Sequence, residues 1–139
     1  MQPSRSVRAT PARAAAAGSE PPSLLSMSPT ELKAALGRSP PALEDGRPLQ
    51  LVDVREAPEL AISSLPGFAH LPLSRAGAWL PTVADELDPE APTAVLCHHG
   101  VRSARVGFAL LGEGFAEVYN VEGGIDAYAR EADRDVPLY

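Results

Sequence analysis

The fold is decided by residues 93–103, whose sequence is TAVLCHHGVRS. The first five residues, Thr93 to Cys97, are typical of a strand that is buried on both faces. A short loop containing Gly100 follows, and from Val101 onward apolar residues return at intervals of three and four, which predicts an amphipathic helix. The predicted apolar side of that helix comprises Val101, Ala104, Phe108 and Leu111. A strand that continues through a short loop into a helix is the building unit of an α/β fold.

The rest of the chain repeats this alternation of strands and helices. Further strands are predicted over residues 49–54, 68–71 and 116–121, and further helices after Ser28, from about Glu56, over 76–87 and over 125–132. Parallel strands are joined by right-handed helical crossovers, so the pattern predicts a mostly parallel sheet with helices on its faces. Sites in such sheets lie beyond the carboxyl ends of the strands, where Asp53 and Cys97 fall.

Charge is distributed unevenly along the 139 residues. The net charge is −6, yet residues 1–19 carry three arginines and no acid, whereas residues 20–139 carry nine basic and 18 acidic side chains. Residues 1–24 are also poor in large apolar side chains, so they cannot form a core. We therefore expect a disordered tail over residues 1–24 and a folded domain over residues 25–139. The tail has the composition of an organelle transit peptide, with a plain cytosolic extension as the alternative.

The composition excludes several classes of protein. No apolar run approaches the ~18 residues of a membrane helix, so we expect no membrane span. An acidic domain lacks the basic face that nucleic-acid binding requires, so we expect no nucleic-acid partner. Cys97 is the single cysteine, which excludes an internal disulfide and a cysteine-rich zinc site.

Four residues separate Cys97 from Arg102, and this spacing favours a reactive thiolate. A loop that short, leading into a helix, can turn successive backbone N–H groups toward the sulfur. Gly100 permits the dihedral angles that such a turn needs, and the Arg102 guanidinium adds a permanent positive charge. The sequence therefore predicts that Cys97 is a nucleophile for an oxyanionic substrate. The loop residues expected to bind that substrate are His98, His99, Gly100, Val101 and Ser103.

Two other interpretations of the loop stay open. Cys97 could be a small hydrophobic residue that merely ends a buried strand. His98 and His99 could join it as metal ligands, but adjacent side chains in one loop rarely converge on one ion, and the sequence shows no obvious partner cluster. We therefore predict no metal site. The two histidines are expected to line the mouth of the site, where they could respond to pH.

The segment from Cys97 to Ser103 resembles the active-site loop of the rhodanese (sulfurtransferase) family. Three further blocks match the family in its own order: VDVRE at 52–56, LPGFAHLPL at 65–73 and VEGGIDAY at 121–128. The four blocks extend the resemblance over roughly residues 28–139. The double-histidine loop and the closing sequence VPLY are most similar to cyanobacterial and plastid members.

The resemblance implies a rhodanese-like fold, with a parallel sheet of about five strands between helices. It also implies that a sulfane sulfur passes from thiosulfate or a related donor to Cys97, giving a persulfide, and then to cyanide or a thiol. Residues 98–102 would supply amides to the sulfur, and Arg102 would orient the donor or stabilise the charged sulfur. Asp53 and Arg55 match the family's Asp-x-Arg block and are expected to support the site from behind. No cofactor is implied, and a protein partner stays open.

The chain departs from the family pattern at two points. The family's usual histidine would fall near Ser64, and the loop has no lysine or arginine before Arg102, which weakens the case for thiosulfate as the natural donor. The alternative functions are a non-catalytic rhodanese-like binding or regulatory module and a cysteine phosphatase, whose arginine lies one residue further along. The predicted location is the plastid stroma, with the mitochondrion and the cytoplasm as alternatives.

Overall fold

A five-stranded parallel sheet organises residues 22–139, the part of the chain that the computed structural model describes. The strands lie in the spatial order β1, β5, β4, β2, β3, so β4 occupies the centre. All of their pairings are parallel, and parallel neighbours need a crossover between them. The strands are β1 (Leu25–Met27), β2 (Gln50–Asp53), β3 (Ala69–His70), β4 (Thr93–Leu96) and β5 (Val118–Val121).

Helices connect these strands and cover the sheet. They are α1 (Pro29–Leu36), α2 (Ala57–Ile62), α3 (Ala76–Trp79), α4 (Val83–Glu86), α5 (Val101–Gly112) and α6 (Gly124–Glu131), with short 3₁₀ segments at Leu73–Arg75 and Leu80–Thr82. Within residues 22–139, none of the helices is both long and apolar enough to cross a membrane.

The core consists of two apolar clusters, one on each face of the sheet. On one face α1 and α6 pack on the strands, with Leu32 and Ile125 fully buried. On the other face α4 and α5 do so, with Val83 and Leu110 fully buried. Cys97 belongs to this second cluster. The predicted α/β fold, a parallel sheet with helices on both faces, is therefore confirmed.

The start of α1 is fixed by a reciprocal pair of hydrogen bonds. The Ser28 hydroxyl accepts from the Glu31 backbone N–H at 3.1 Å, and the Glu31 carboxylate accepts from the Ser28 N–H at 2.8 Å. Pro29 occupies the first turn, where its missing N–H costs nothing. The order Ser-Pro-Thr-Glu is the sequence signature of this capping box.

The predicted apolar side of α5 is wrong at two of its four positions, although Leu111 packs against the second cluster. Val101 and Phe108 are 71% and 62% exposed, and the buried positions are Ser103, Val106, Gly107 and Leu110. The helix faces the sheet through two small residues, which let its backbone come close. A Cβ at Gly107 would lie only 2.6 Å from the Leu24 side chain. Hydrophobicity alone does not predict such a contact, because the contacting residues are a serine and a glycine.

Two other elements differ from the sequence prediction. The single helix predicted over residues 76–87 is split into α3, a 3₁₀ segment and α4, because Pro81 has no N–H to donate and its ring obstructs a continuous helix. The strand β1 was not predicted, since three residues are too few to show an alternating pattern. It pairs with β5 from Leu25 to Met27. Most of the predicted tail, residues 1–21, lies outside the described residues.

Candidate active site

Cys97 lies directly after the central strand β4, at the carboxyl edge of the sheet. Its side chain is buried, and its Sγ accepts hydrogen bonds from the Gly100 N–H at 3.0 Å and the Ser103 hydroxyl at 3.2 Å. Gly100 has a φ of +103°, a conformation that residues with a side chain rarely adopt. The loop thus turns one backbone amide and one hydroxyl toward the sulfur, and both can stabilise negative charge there.

Helix α6 supports this loop from the other side. The N–H groups of Ile125 and Asp126 donate to the backbone carbonyls of Cys97 and His98, at 2.9 and 3.1 Å. A Cβ at Gly124 would lie 2.3 Å from the His98 carbonyl oxygen, so no larger residue fits. The Gly-Gly turn therefore lets α6 contact the backbone of the loop at Cys97 and His98.

Asn120 of β5 links the two groups that contact the sulfur. Its amide nitrogen donates to the Gly100 carbonyl at 3.1 Å, and its amide oxygen accepts from the Ser103 hydroxyl at 2.5 Å. A hydroxyl has one proton. When Ser103 donates to Asn120, its oxygen is free to accept from the Cys97 thiol; when the hydroxyl rotates, it donates to a thiolate instead. Ser103 can therefore serve both protonation states of the sulfur.

Arg102 forms a bidentate ion pair with Glu59 of α2. Its Nη1 and Nη2 atoms donate to the two carboxylate oxygens at 2.7 and 2.8 Å. This contact holds the pKa of Glu59 at about 2 and raises the pKa of Arg102. The side chains of Arg102 and Glu59 are 30% and 20% exposed, so the pair lies at the mouth of the site rather than in the core.

Tyr139 joins the loop to the ion pair. Its ring stacks on the His98 ring at a centroid distance of 3.9 Å, and its backbone carbonyl accepts from His98 Nε2 at 2.9 Å. Its hydroxyl donates to Glu59 at 2.9 Å and accepts from Arg55 at 3.0 Å. One side chain therefore contacts the active-site loop, helix α2 and the turn after β2.

Asp53 and Arg55 form a buried ion pair behind the site. The Arg55 Nη2 lies 2.7 Å from the Asp53 carboxylate, and the two side chains are 0% and 2% exposed. Burial opposes the charged guanidinium, but the bonds to Asp53 and Tyr139 outweigh it and raise the pKa of Arg55. The Arg55 carbonyl also accepts from His70 Nε2 at 2.6 Å. In the structure neither Asp53 nor Arg55 bonds to Cys97, so the pair supports the turn after β2.

Within residues 22–139, one group of side chains has the composition of a metal site: His98, His99 and Asp126, whose candidate ligand atoms lie within 4.8 Å of one another. The centroids of the two imidazole rings lie 3.8 Å apart and their planes are tilted by 30°, and His98 Nε2 already contacts the Tyr139 carbonyl at 2.9 Å. The Asp126 carboxylate already accepts from Arg130 at 3.0 Å. Burial, and then the charge of His99, lowers the pKa of His98. This geometry suits a neutral, hydrogen-bonded imidazole better than a ligand set.

Sequence reasoning missed three residues of the site: Glu59, Asn120 and Tyr139. Asn120 carried a usable signal, because an amide inside an apolar strand needs a buried partner. Glu59 carried a weaker one, since it lies three residues after the residue that caps α2. Nothing local indicated Tyr139, which reaches the site only through the folding of the last residues over the sheet edge.

The fold and the loop together define a class of protein: an α/β domain with a buried cysteine directly after the central strand of its sheet. The chain belongs to the rhodanese-like domain family, whose model matches residues 28–131. The resemblance drawn from the sequence is thereby confirmed.

The chain is similar to both plant and bacterial members of the family. It is 48% identical over 90 residues to the chloroplastic rhodanese-like/PpiC domain-containing protein 12 of Arabidopsis thaliana, covering 65% of this chain and 30% of that protein. It is 38% identical over 80 residues to the thiosulfate sulfurtransferase GlpE of Actinobacillus pleuropneumoniae, covering 58% of this chain and 70% of that protein. The chain thus spans less than a third of the plant relative.

The fold is shared with solved structures of the family. A rhodanese-like domain protein from Staphylococcus aureus superimposes with a TM-score of 0.62 at 28% sequence identity, covering 84% of this chain and 99% of that structure. This likeness extends over nearly the whole of the described range, so the five-stranded sheet is the family's own architecture.

Proposed function

We propose that this protein is a sulfurtransferase, which moves a sulfane sulfur from a donor to a thiophilic acceptor through a persulfide on Cys97. The observation that carries the proposal is the pair of donors on the sulfur, the Gly100 N–H at 3.0 Å and the Ser103 hydroxyl at 3.2 Å. Both stabilise a charged sulfur at the end of a buried strand. Membership of the family and the similarity to GlpE, itself named a thiosulfate sulfurtransferase, support the same chemistry.

The reaction needs no external oxidant or reductant, because a sulfur atom only moves from the donor to the acceptor. The Cys97 thiolate attacks the outer sulfur of the donor, a new S–S bond forms, and the donor's bond to that sulfur breaks with its electron pair. With thiosulfate the leaving group is sulfite. An acceptor such as cyanide then attacks the outer sulfur of the persulfide, and the Cys97 thiolate leaves. In this second step the negative charge returns to Cys97 Sγ, the atom that the Gly100 N–H and the Ser103 hydroxyl contact.

The experiment that tests this function is a direct search for the persulfide. Incubation with thiosulfate or a thiosulfonate should increase the intact mass by one sulfur atom, and cyanide should then release thiocyanate and restore the original mass. Cys97→Ser should abolish both events, because the thiolate is the nucleophile. Protein alkylated at its single thiol is the matched control.

Two outcomes would contradict the proposal. A folded protein that gains no sulfur from any donor would be a binding or regulatory module of the same family. Release of phosphate from an aryl phosphate, without persulfide formation, would indicate a cysteine phosphatase. The four-residue spacing between Cys97 and Arg102 disfavours phosphate, because it encloses less space than a loop with five intervening residues.

We infer that the protein works in the plastid stroma. Support comes from a relative that is named chloroplastic, and from a basic first segment without acids over residues 1–19. Isolated chloroplasts and mitochondria, offered the full chain, should distinguish the organelles: we expect protease-protected, shortened protein in chloroplasts. Replacing Arg5, Arg8 and Arg13 by glutamate should prevent uptake. Import into mitochondria alone would overturn the assignment.

A further inference from the structure

The arginines that the structure brings to the site are each matched by a carboxylate. The pairs are Arg102 with Glu59, Arg55 with Asp53, and Arg130 with Asp126. Burial lowers the pKa of His98 and so favours the uncharged imidazole. Once Cys97 is a thiolate, these groups together carry a net negative charge. A donor that approaches Cys97 therefore meets an arginine whose charge is already paired with the Glu59 carboxylate.

Glu59 is held in place independently of Arg102. Its Oε1 accepts from Arg102 Nη2 and from the Tyr139 hydroxyl, at 2.8 and 2.9 Å. Its Oε2 accepts from Arg102 Nη1 and from the Glu56 N–H, at 2.7 and 2.9 Å. Each carboxylate oxygen thus has two donors. An anionic donor that competes for Arg102 would leave Glu59 anchored by Tyr139 and Glu56, so the negative charge stays at the mouth of the site.

We propose that Glu59 is a specificity-determining residue, which directs Cys97 toward sulfur donors with one negative charge and disfavours doubly charged donors such as thiosulfate. The inference rests on the proposed function. Two like charges close together in a partly dehydrated site repel more strongly than in water. A second charge on the donor therefore raises the barrier to approach. Residues 98–101 include no lysine or arginine whose positive charge could offset it.

A pair of donors with matched chemistry isolates this effect. Thiosulfate carries two negative charges and releases sulfite; methanethiosulfonate carries one and releases methanesulfinate. In both reactions the Cys97 thiolate forms a bond to the outer sulfur, the sulfur–sulfur bond of the donor breaks, and total charge is conserved. The two donors differ mainly in charge, so the ratio of their kcat/KM values reports how strongly the site discriminates by charge.

The test measures kcat/KM for both donors, with cyanide as acceptor, in the full chain and three variants. Glu59→Gln keeps the shape of the side chain and removes its charge, so kcat/KM for thiosulfate should rise about tenfold relative to methanethiosulfonate. Glu59→Asp keeps the charge, so the ratio should stay at the wild-type value even if both rates fall. Glu56→Gln removes a neighbouring charge that binds Ser74 instead of Arg102, and the ratio should again stay unchanged.

Equal changes for both donors in Glu59→Gln would overturn the inference and make Glu59 a positioning residue for Arg102. An altered ratio in Glu56→Gln, as large as that in Glu59→Gln, would overturn it too, because the effect would then be one of general surface charge. A wild-type protein that forms no persulfide with either donor would contradict the proposed function instead. The two failures are therefore distinguishable.

Discussion

Two arginine–carboxylate pairs flank Tyr139, and they differ mainly in burial. Each has a shortest contact of 2.7 Å. The pair of Asp53 and Arg55 is almost fully buried, whereas the pair of Glu59 and Arg102 keeps 20% and 30% of its side chains exposed. The same chemical contact therefore occurs once inside the domain and once at the mouth of the site.

The difference in burial separates their effects. A fully buried ion pair is costly to break, because the remaining charge has neither water nor partner. A partly exposed pair is more weakly stabilising, since water screens it, but its electric field reaches a ligand. We therefore expect changes in the inner pair to act on stability and changes in the outer pair to act on catalysis and pH response.

The largest expected effect is the loss of stability in Asp53→Asn. The substitution preserves shape but leaves the Arg55 guanidinium buried without a countercharge, which should lower the free energy of unfolding by about 3–5 kcal/mol. Urea denaturation measures the change. The matched control is Asp45→Asn, at an exposed ion pair with Arg47, which should leave the midpoint nearly unchanged. Equal, small losses in both variants would show that the inner pair is not a structural requirement.

The outer pair should give a distinct pH dependence of stability. The pKa of Glu59 falls from 4.5 to about 2 on folding, mainly through the bonds to Arg102. Because folding lowers the pKa of this carboxyl, its ionised form stabilises the fold when the pH is above the pKa of the unfolded state. This stabilisation is lost as the pH falls toward the pKa of the folded state. The total is about 3 kcal/mol, of which about 2 should be lost by about pH 3.

Urea denaturation of the wild type and Glu59→Gln, near neutral pH and at about pH 3, isolates this contribution. Other titrating groups are common to both proteins, so the wild type should lose more stability on acidification than the variant. If the wild type and Glu59→Gln lost the same free energy of unfolding on acidification, the bond to Arg102 would not lower the pKa of Glu59. Because water screens this partly exposed pair, the measured difference should be smaller than these figures.

Much of the fold could be predicted from the sequence because its signals are local. The capping box at Ser28, the apolar strand before Cys97 and the Gly-Gly turn at 123–124 each act within a few residues. The wrongly predicted side of α5 and the missed β1 show where local signals fail. Ser103 and Gly107 are buried by close packing, and β1 depends on a partner strand more than 90 residues away.

The site residues also fall into those with a local sequence signal and those brought in by long-range contacts. Cys97, Gly100, Arg102 and Ser103 lie in one short segment, so their spacing could be recognised. Glu59 contacts Arg102 and Tyr139 across separations of 43 and 80 residues. No sequence pattern encodes these contacts. The compensation of Arg102 by Glu59, on which the proposed donor preference depends, became apparent only in three dimensions.

The smallest expected effect comes from Tyr139→Phe, which removes the one hydroxyl shared by both pairs. Loss of its bonds to Glu59 and Arg55 should lower the free energy of unfolding by about 1–2 kcal/mol, while the ring remains stacked on His98.

Tyr119→Phe is the matched control. Tyr119 donates to Glu117, which forms an ion pair with Arg47, and neither Glu117 nor Arg47 belongs to the site. Both variants should lose similar stability in urea. With one anchor of Glu59 gone, only Tyr139→Phe should shift the ratio of kcat/KM for thiosulfate and methanethiosulfonate, in the direction of Glu59→Gln and by a smaller factor. An unchanged ratio would mean that Arg102 and the Glu56 N–H are sufficient to hold the carboxylate, and that the two pairs act independently.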